Sequence, residues 1–216
     1  MKIAYITNAG YVGGWAHSVQ IVNMCKAFAS NNVDITLVLP KRSIYKDIDL
    51  FEYYSIPKTF KVKMLPCIDI FPGSSNSIFY WLRFISFYFF AKIYTLINHF
   101  DFLYSRDLYS SLFFNKIILE QHSFPKKLNF LKNIIFTLKR KVIVLTSFLK
   151  KRFIDAGIIE KNIVVAGSAV DLEEFLKDRK KIDITEISEH DFVFGYIGTL
   201  KTMNMEQGGY GCVSAL

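Results

Sequence analysis

The residues with the types and spacing to do chemistry cluster at the ends of apolar runs. Near the start, a run from Lys2 to Thr7 breaks into Gly10, Gly13 and Gly14, with His17 just beyond. A strand that gives way to glycines and restarts as a helix gathers backbone N–H groups and a positive helix terminus at one spot, which favours an anion. Glycine suits that turn because a side chain would hold a phosphate or sugar away from the backbone. A tight turn without a ligand accounts for the same glycines, so the motif alone leaves both readings open. Arg106 can grip a phosphate or carboxylate with forked hydrogen bonds, or it can simply pair with Asp101 or Asp107. Glu120 and His122 point to the same side if one strand runs through both. His122 can then donate to a sugar hydroxyl or a leaving oxygen, whereas Glu120 can alternatively cap a helix. Ser147 follows another apolar run and is placed to cap the helix after it.

The elements that position these groups follow from hydrophobic periodicity. Lys2–Thr7 reads as a strand, Trp15–Ala29 as a helix ended by Asn31 and Asn32, and Val33–Leu39 as a buried parallel strand closed by Pro40. A strand over Phe60–Leu65 and a helix over Ile78–Ile97 come next. Phe102–Tyr104 is a short strand, with Asp107 the expected N-cap of a following helix, and Lys116–Leu119 is another strand. Beyond lie a basic helix around Lys126–Leu138, a strand at Val142–Leu145, a helix from Ser147 to Asp155 stopped by Gly157, and a strand at Ile163–Ala166. This alternation implies an α/β fold, a Rossmann-like doubly wound parallel sheet, because parallel strands need crossovers. Ligands bind such sheets beyond the carboxyl ends of the strands, so the glycine turn, Arg106, Glu120 with His122, and Ser147 should share one rim.

The helix over Ile78–Ile97 has the length and aromatic content of a membrane span, but Arg83 and Lys92 within it would be costly in hydrocarbon. Two readings remain: a helix that touches a membrane surface, and one that is fully internal. Residues 1–176 are expected to form the main domain, 177–190 a charged linker, and 191–216 the start of a second domain. The tail from Gly208 to Leu216 has no helical pattern to cover the strand at Asp191–Ile197, which leads us to expect a truncated chain with an aberrant tail.

The 216 residues are 51% hydrophobic and 21% charged, with a formal net charge of +8, a globular composition that favours anionic partners. The basic residues are scattered, which argues against nucleic acid. Cys25, Cys67 and Cys212 have no C-x-x-C spacing, so neither a disulfide framework nor a zinc site is expected, and a reducing, cytoplasmic compartment fits. No signal-peptide pattern opens the chain. The four histidines show no paired spacing and no Asp-x-Asp occurs, so no metal is expected, and the absence of Gly-x-Ser-x-Gly disfavours a serine hydrolase. The turn departs from Gly-x-Gly-x-x-Gly, and the second strand ends in Pro40, Lys41 and Arg42 without a ribose-binding carboxylate. Lys41 and Arg42 would still suit a 2′-phosphate, which keeps an NADP-binding protein as a minor alternative.

In order along the chain come Lys-Ile-Ala-Tyr-Ile-Thr with Gly13-Gly14 and His17; Asp-Phe-Leu-Tyr-Ser-Arg at 101–106; Ile-Leu-Glu-Gln-His at 118–122; Val-Ile-Val-Leu-Thr-Ser-Phe-Leu-Lys at 142–150; Ala-Val-Asp-Leu-Glu-Glu-Phe at 169–175; and Phe-Gly-Tyr-Ile-Gly-Thr-Leu at 194–200. From residue 1 to about 207 this set resembles the N-terminal half of a GT-B glycosyltransferase of family 4. The resemblance implies transfer of a sugar from a nucleotide-sugar donor to a glycan or lipid-linked acceptor, with retention at the anomeric carbon and no metal or other cofactor. It implies that Gly13 and Gly14 lie against the donor's phosphate or sugar; His17, Arg106 and Ser147, which the topology puts on the same rim, are the further expected binding residues. By the same likeness His122 contacts the transferred sugar, Glu120 and Arg106 shape the cleft, and Gly198 starts a donor-facing loop in the second domain. His122 and Glu120 are the expected catalytic pair. The family's basic pair and its Glu-x7-Glu motif would fall beyond Leu216, so the chain alone is expected to be inactive or weakly active. The rival expectation is a non-catalytic module that binds protein or an anionic membrane surface, at the inner face of the membrane, through the aromatic helix.

Overall fold

A computed structural model of the chain describes residues 1–12, 16–71, 77–125 and 141–172. Gly13, Gly14, Gly198, the basic segment 126–138 and the expected linker and second domain at 177–216 lie outside the described residues. The chain divides into two compact units, Met1–Ser168 and Ala169–Leu216. The sheet and every element named below belong to the first; of the second, residues 169–172 are described.

The first unit is built on seven strands: β1 (Lys2–Ile6), β2 (Asp34–Pro40), β3 (Lys61–Leu65), β4 (Phe102–Ser105), β5 (Ile117–Gln121), β6 (Val142–Val144) and β7 (Ile163–Val165). They form one parallel sheet in the order β3-β2-β1-β4-β5-β6-β7. The expected α/β, Rossmann-like doubly wound sheet is the observed one. The chain builds outward from β1 to β3, then returns to place β4 on the other side of β1. The gap between the carboxyl ends of β1 and β4 is therefore the switch point at which such sheets open a crevice.

The central strands β1, β2 and β5 bury both faces, and the alternation sorts their side chains between two layers. Ile3, Tyr5, Leu37 and Tyr104 face α1 (Ala16–Ser30), which presents Ile21, Val22 and Cys25 at helical spacing. Ala4, Ile6, Val38 and Leu119 face α3 (Ser77–Asn98), which presents Phe84, Phe87, Tyr88 and Ala91. A smaller cluster joins Val142 and Val144 to Leu149 and Phe153 of α4 (Ser147–Asp155). The loop between β2 and β3 holds a single-turn helix, α2 (Leu50–Tyr53), which periodicity could not show because four residues carry no period. Asn32 ends α1 in the left-handed region at φ 58°, and Gly157, at φ 101°, follows α4.

Several expectations need correction. α3 is not fully internal: one side is buried, while Leu82, Ile85, Phe89 and Leu96 are exposed. Its two charged residues turn inward, Arg83 toward Asp69 and Lys92 donating to the Phe113 carbonyl at 3.0 Å. No helix among the described residues is long and apolar enough to cross a membrane. Asp107 precedes a 3-10 helix at Leu108–Leu112 and makes no side-chain cap bond to it. α4 is capped by Thr146, whose hydroxyl accepts from the Leu149 N–H at 3.1 Å; Ser147 is the first helical residue instead.

The two sides of α3 give a direct test of its orientation. Phe87→Ala, at a fully buried ring, should cost about 3–5 kcal/mol in urea unfolding. Phe89→Ala, two residues on and 57% exposed, should cost no more than about 0.5 kcal/mol.

Candidate functional site

The β1–α1 turn is held from several sides. The Asn8 N–H donates to Asp107 Oδ2 at 2.6 Å, and the Tyr11 hydroxyl donates to the Tyr45 and Ile48 carbonyls at 3.2 and 3.1 Å. Ser18, one turn into α1, donates to the Gly10 carbonyl at 2.6 Å. A Cβ at Gly10 would run into the Tyr45 hydroxyl, so a larger residue there would have to displace that ring. Asp107 is the anchor of this turn: besides Asn8 it accepts from the Tyr88 hydroxyl of α3 at 2.6 Å and from Thr7 Oγ1 at 3.4 Å. Burial pushes its carboxyl above the ordinary carboxylate range, against the opposing pull of those hydrogen bonds and of Arg106.

Across the switch point, β5 runs through Glu120 to Gln121, and Glu120 and His122 come out on the same side as expected. Glu120 is 3% exposed. It accepts from the Tyr104 hydroxyl at 2.5 Å and from the Gln20 amide at 2.6 Å, and its Oε1 contacts His122 Nε2. Burial alone would raise its pKa, but the bonds from Tyr104, His122 and Gln20 outweigh that and hold the carboxyl below its ordinary range. Burial and the Glu120 charge push the Tyr104 hydroxyl up, so it stays a donor.

Arg106 pairs with neither Asp101 nor Asp107. Its Nη1 donates to the Gln20 side-chain oxygen and, at 3.5 Å, to the His17 carbonyl. Arginine only donates and a carboxylate only accepts, so Gln20 must turn its oxygen to Arg106 and its NH2 to Glu120. The His17 side chain is exposed at the rim. Partial burial and the Arg106 charge lower its pKa, outweighing Asp107. His122 keeps 26% of its side chain exposed, so the ring's outer edge is open to a ligand while Nε2 stays on Glu120. A carboxylate-backed imidazole of this kind can present its remaining nitrogen to a hydroxyl or a developing oxyanion.

The structure thus brings His17, Arg106, Glu120 and His122 together, and it leaves Ser147 exposed at the β6 end with no described contact to them. Gln20 and Tyr104 belong to the site and were not expected. Gln20 lies three residues past His17, on the same face of α1. Tyr104 pairs in register with Ile118, two residues before Glu120 on the same side of β5. Among the described residues no group of three or more His, Cys, Asp or Glu side chains could hold a metal ion.

No family model matches the chain, and no curated protein matches it. Solved structures do. HepE of Anabaena, solved with UDP and glucose, aligns with a TM-score of 0.52 at 15% identity over 80% of this chain and 46% of its own. The lipopolysaccharide outer core galactosyltransferase WaaB aligns with a TM-score of 0.50 at 17% identity, over 79% of this chain and 46% of its own. WaaG, a glycosyltransferase involved in lipopolysaccharide biosynthesis, gives 0.51 at 10% identity, over 78% and 45%. The fold is shared with glycosyltransferases. At these identities the likeness is one of fold, and the chain spans a little under half the length of each of these structures.

The two carboxyls of the site should respond to pH in opposite senses. Glu120 has a lowered folded pKa, so its contribution is present above its unfolded value near 4.5 and is lost as pH falls through the folded value. Glu120→Gln should cost about 1–3 kcal/mol at pH 7 in urea unfolding, and the gap to the parent should narrow in acid. Asp107 has a raised folded pKa, so the parent loses stability as pH rises above about 3.8 toward that value. Asp107→Asn should therefore gain on the parent over that interval.

Proposed function

We propose that this chain is the acceptor-side part of a retaining glycosyltransferase that uses a nucleotide-sugar donor. The observation that carries the reading is His122, backed by the buried Glu120 and flanked by the Gln20-held Arg106, at the switch point of the sheet. The fold likeness supports it, since HepE has been solved with UDP and with UDP-glucose. In the proposed reaction the bond from the anomeric carbon to the diphosphate breaks, and a bond from that carbon to an acceptor oxygen forms on the same face of the ring. The acceptor's hydroxyl proton goes to the leaving diphosphate.

In this reading His122 touches the transferred sugar with its exposed edge, and Glu120 is a positioning residue that fixes the ring. Arg106 sets the electrostatics of the crevice through a cation held by Gln20 and the His17 carbonyl. The acceptor, a glycan or a lipid-linked sugar, lies along the carboxyl rim of this unit. No cofactor is invoked beyond the donor substrate. The NADP reading is not favoured, because the β1–α1 turn departs from Gly-x-Gly-x-x-Gly and HepE has been solved with UDP and UDP-glucose.

Saturation-transfer NMR on the 216-residue chain with UDP-glucose, UDP-galactose and GDP-mannose tests this. Sugar protons of at least one donor should be saturated, and His122→Ala should reduce that signal by about fivefold or more. Saturation of NADPH with no contact to any nucleotide sugar would overturn the proposal.

A further inference from the structure

On the far side of the β1–α1 turn from Glu120, the carboxyl edge of the sheet is built around two arginines. Arg42 follows β2 and Arg83 lies on the buried side of α3, yet both converge on Asp69. Arg83 Nη1 is 3.3 Å from Asp69 Oδ1, and Arg42 Nε is 3.8 Å from Oδ2. The side chains of Arg42, Arg83 and Asp69 keep only 11%, 10% and 6% exposure. Asp69 also accepts from the Ser43 N–H and hydroxyl at 3.3 and 3.4 Å. The rings of Tyr45 and Tyr80 lie 5.2 and 5.6 Å from the two guanidinium carbons.

Two permanent cations thus face one carboxylate in a nearly closed place, where an unmatched charge is costly. Each guanidinium carries five donors in a fixed fork. Arg42 Nη1 donates to the Tyr45 hydroxyl at 3.3 Å and Arg83 Nη1 to Asp69. The two Nε atoms, closed off from solvent, have no hydrogen-bond acceptor among the described residues, so it is the Nη edges that face outward to a ligand. An anion with several oxygens would match the one positive charge left over. A phosphate ester, with about −1.5 to −2 charge at pH 7 and three acceptor oxygens, meets that need better than a planar carboxylate.

The surroundings say what the phosphate is attached to. The segment carrying Asp69 runs along α3: the Ile68 N–H donates to Ser86 Oγ at 2.9 Å, and Phe71 packs on Phe79 at 4.6 Å between ring centroids. Asp69 turns in, while its neighbours Ile68, Ile70 and Phe71 are exposed, as are Leu82 and Ile85 of α3. An apolar shoulder bordering an enclosed cation excess fits an anionic head with a hydrocarbon tail. We propose that Arg42 and Arg83 hold the phosphate of an amphiphilic phosphate ester whose hydrocarbon lies over Ile68, Ile70 and Phe71. This deepens the glycosyltransferase reading by naming the acceptor class, and rests on that reading only for the ester's role.

The test is calorimetric titration of the full chain with dihexanoyl phosphatidic acid, dihexanoyl phosphatidylcholine and glucose 6-phosphate. Phosphatidic acid should bind about tenfold tighter or more than either of the others, and Arg42→Gln should weaken it by about tenfold. Asp69→Asn, which removes the internal counter-charge, should tighten it severalfold, a change that a misfolded variant cannot produce. Equal binding of phosphatidic acid and phosphatidylcholine, or no tightening in Asp69→Asn, overturns the phosphate site. Equal binding of phosphatidic acid and glucose 6-phosphate overturns the hydrocarbon contact. The UDP-glucose signal in the same samples judges the transferase reading separately, because it does not involve Arg42 or Asp69.

Discussion

A carboxylate buried at the switch point of the sheet is the constraint on which the site depends. Glu120 has almost no contact with water, so it needs donors from the protein itself. Those donors come from Gln20 on α1, Tyr104 on β4 and His122 just past β5. Satisfying one buried charge therefore fixes the relative positions of a helix, a neighbouring strand and a loop. The same bonds keep Glu120 ionised and set the orientation of the His122 ring, so fold stability and site geometry have one cause.

The other carboxyl of the rim works differently. Asp107 sits one residue past Arg106 but does not pair with it; it gathers Thr7, Asn8 and Tyr88 instead. It thereby ties the start of the β1–α1 turn to α3 on the opposite side of the sheet. Burial works against its charge, whereas Glu120 has enough donors to overcome the same penalty. Arg106, left free of both aspartates, is available to orient Gln20.

Helix α3 departs from the usual surface helix, which faces charge to solvent and apolar groups to the core: Phe84, Phe87, Tyr88 and Ala91 are buried, but its outer side is apolar as well. Here Arg83 and Lys92 are turned toward the protein while leucine, isoleucine and phenylalanine side chains line the outside. Arg83 shares Asp69 with Arg42, and Lys92 donates to the Phe113 carbonyl. The helix thus joins the sheet core to the arginine pair and leaves an apolar shoulder beside it.

The sequence by itself determined the layer architecture. The apolar runs at Lys2–Thr7, Val33–Leu39 and Phe102–Tyr104 became strands, and the periods of Trp15–Ala29 and Ile78–Ile97 became helices, because strand and helix periods are local properties of the chain. It also showed Arg106, Glu120 and His122 at strand ends, where the topology of a parallel sheet puts ligands. Partner choice was not legible. That Arg106 reaches Gln20 rather than an aspartate, that Asp107 anchors a turn rather than capping a helix, that Thr146 displaces Ser147 as cap, and that Arg42 and Arg83 share Asp69 were decided by the tertiary structure. The reason is physical: a side-chain hydrogen bond or ion pair forms with whatever group the fold brings within about 3 Å, and residues such as Gln20 and Glu120, 100 positions apart, become neighbours only when the sheet closes its order at β1 and β4.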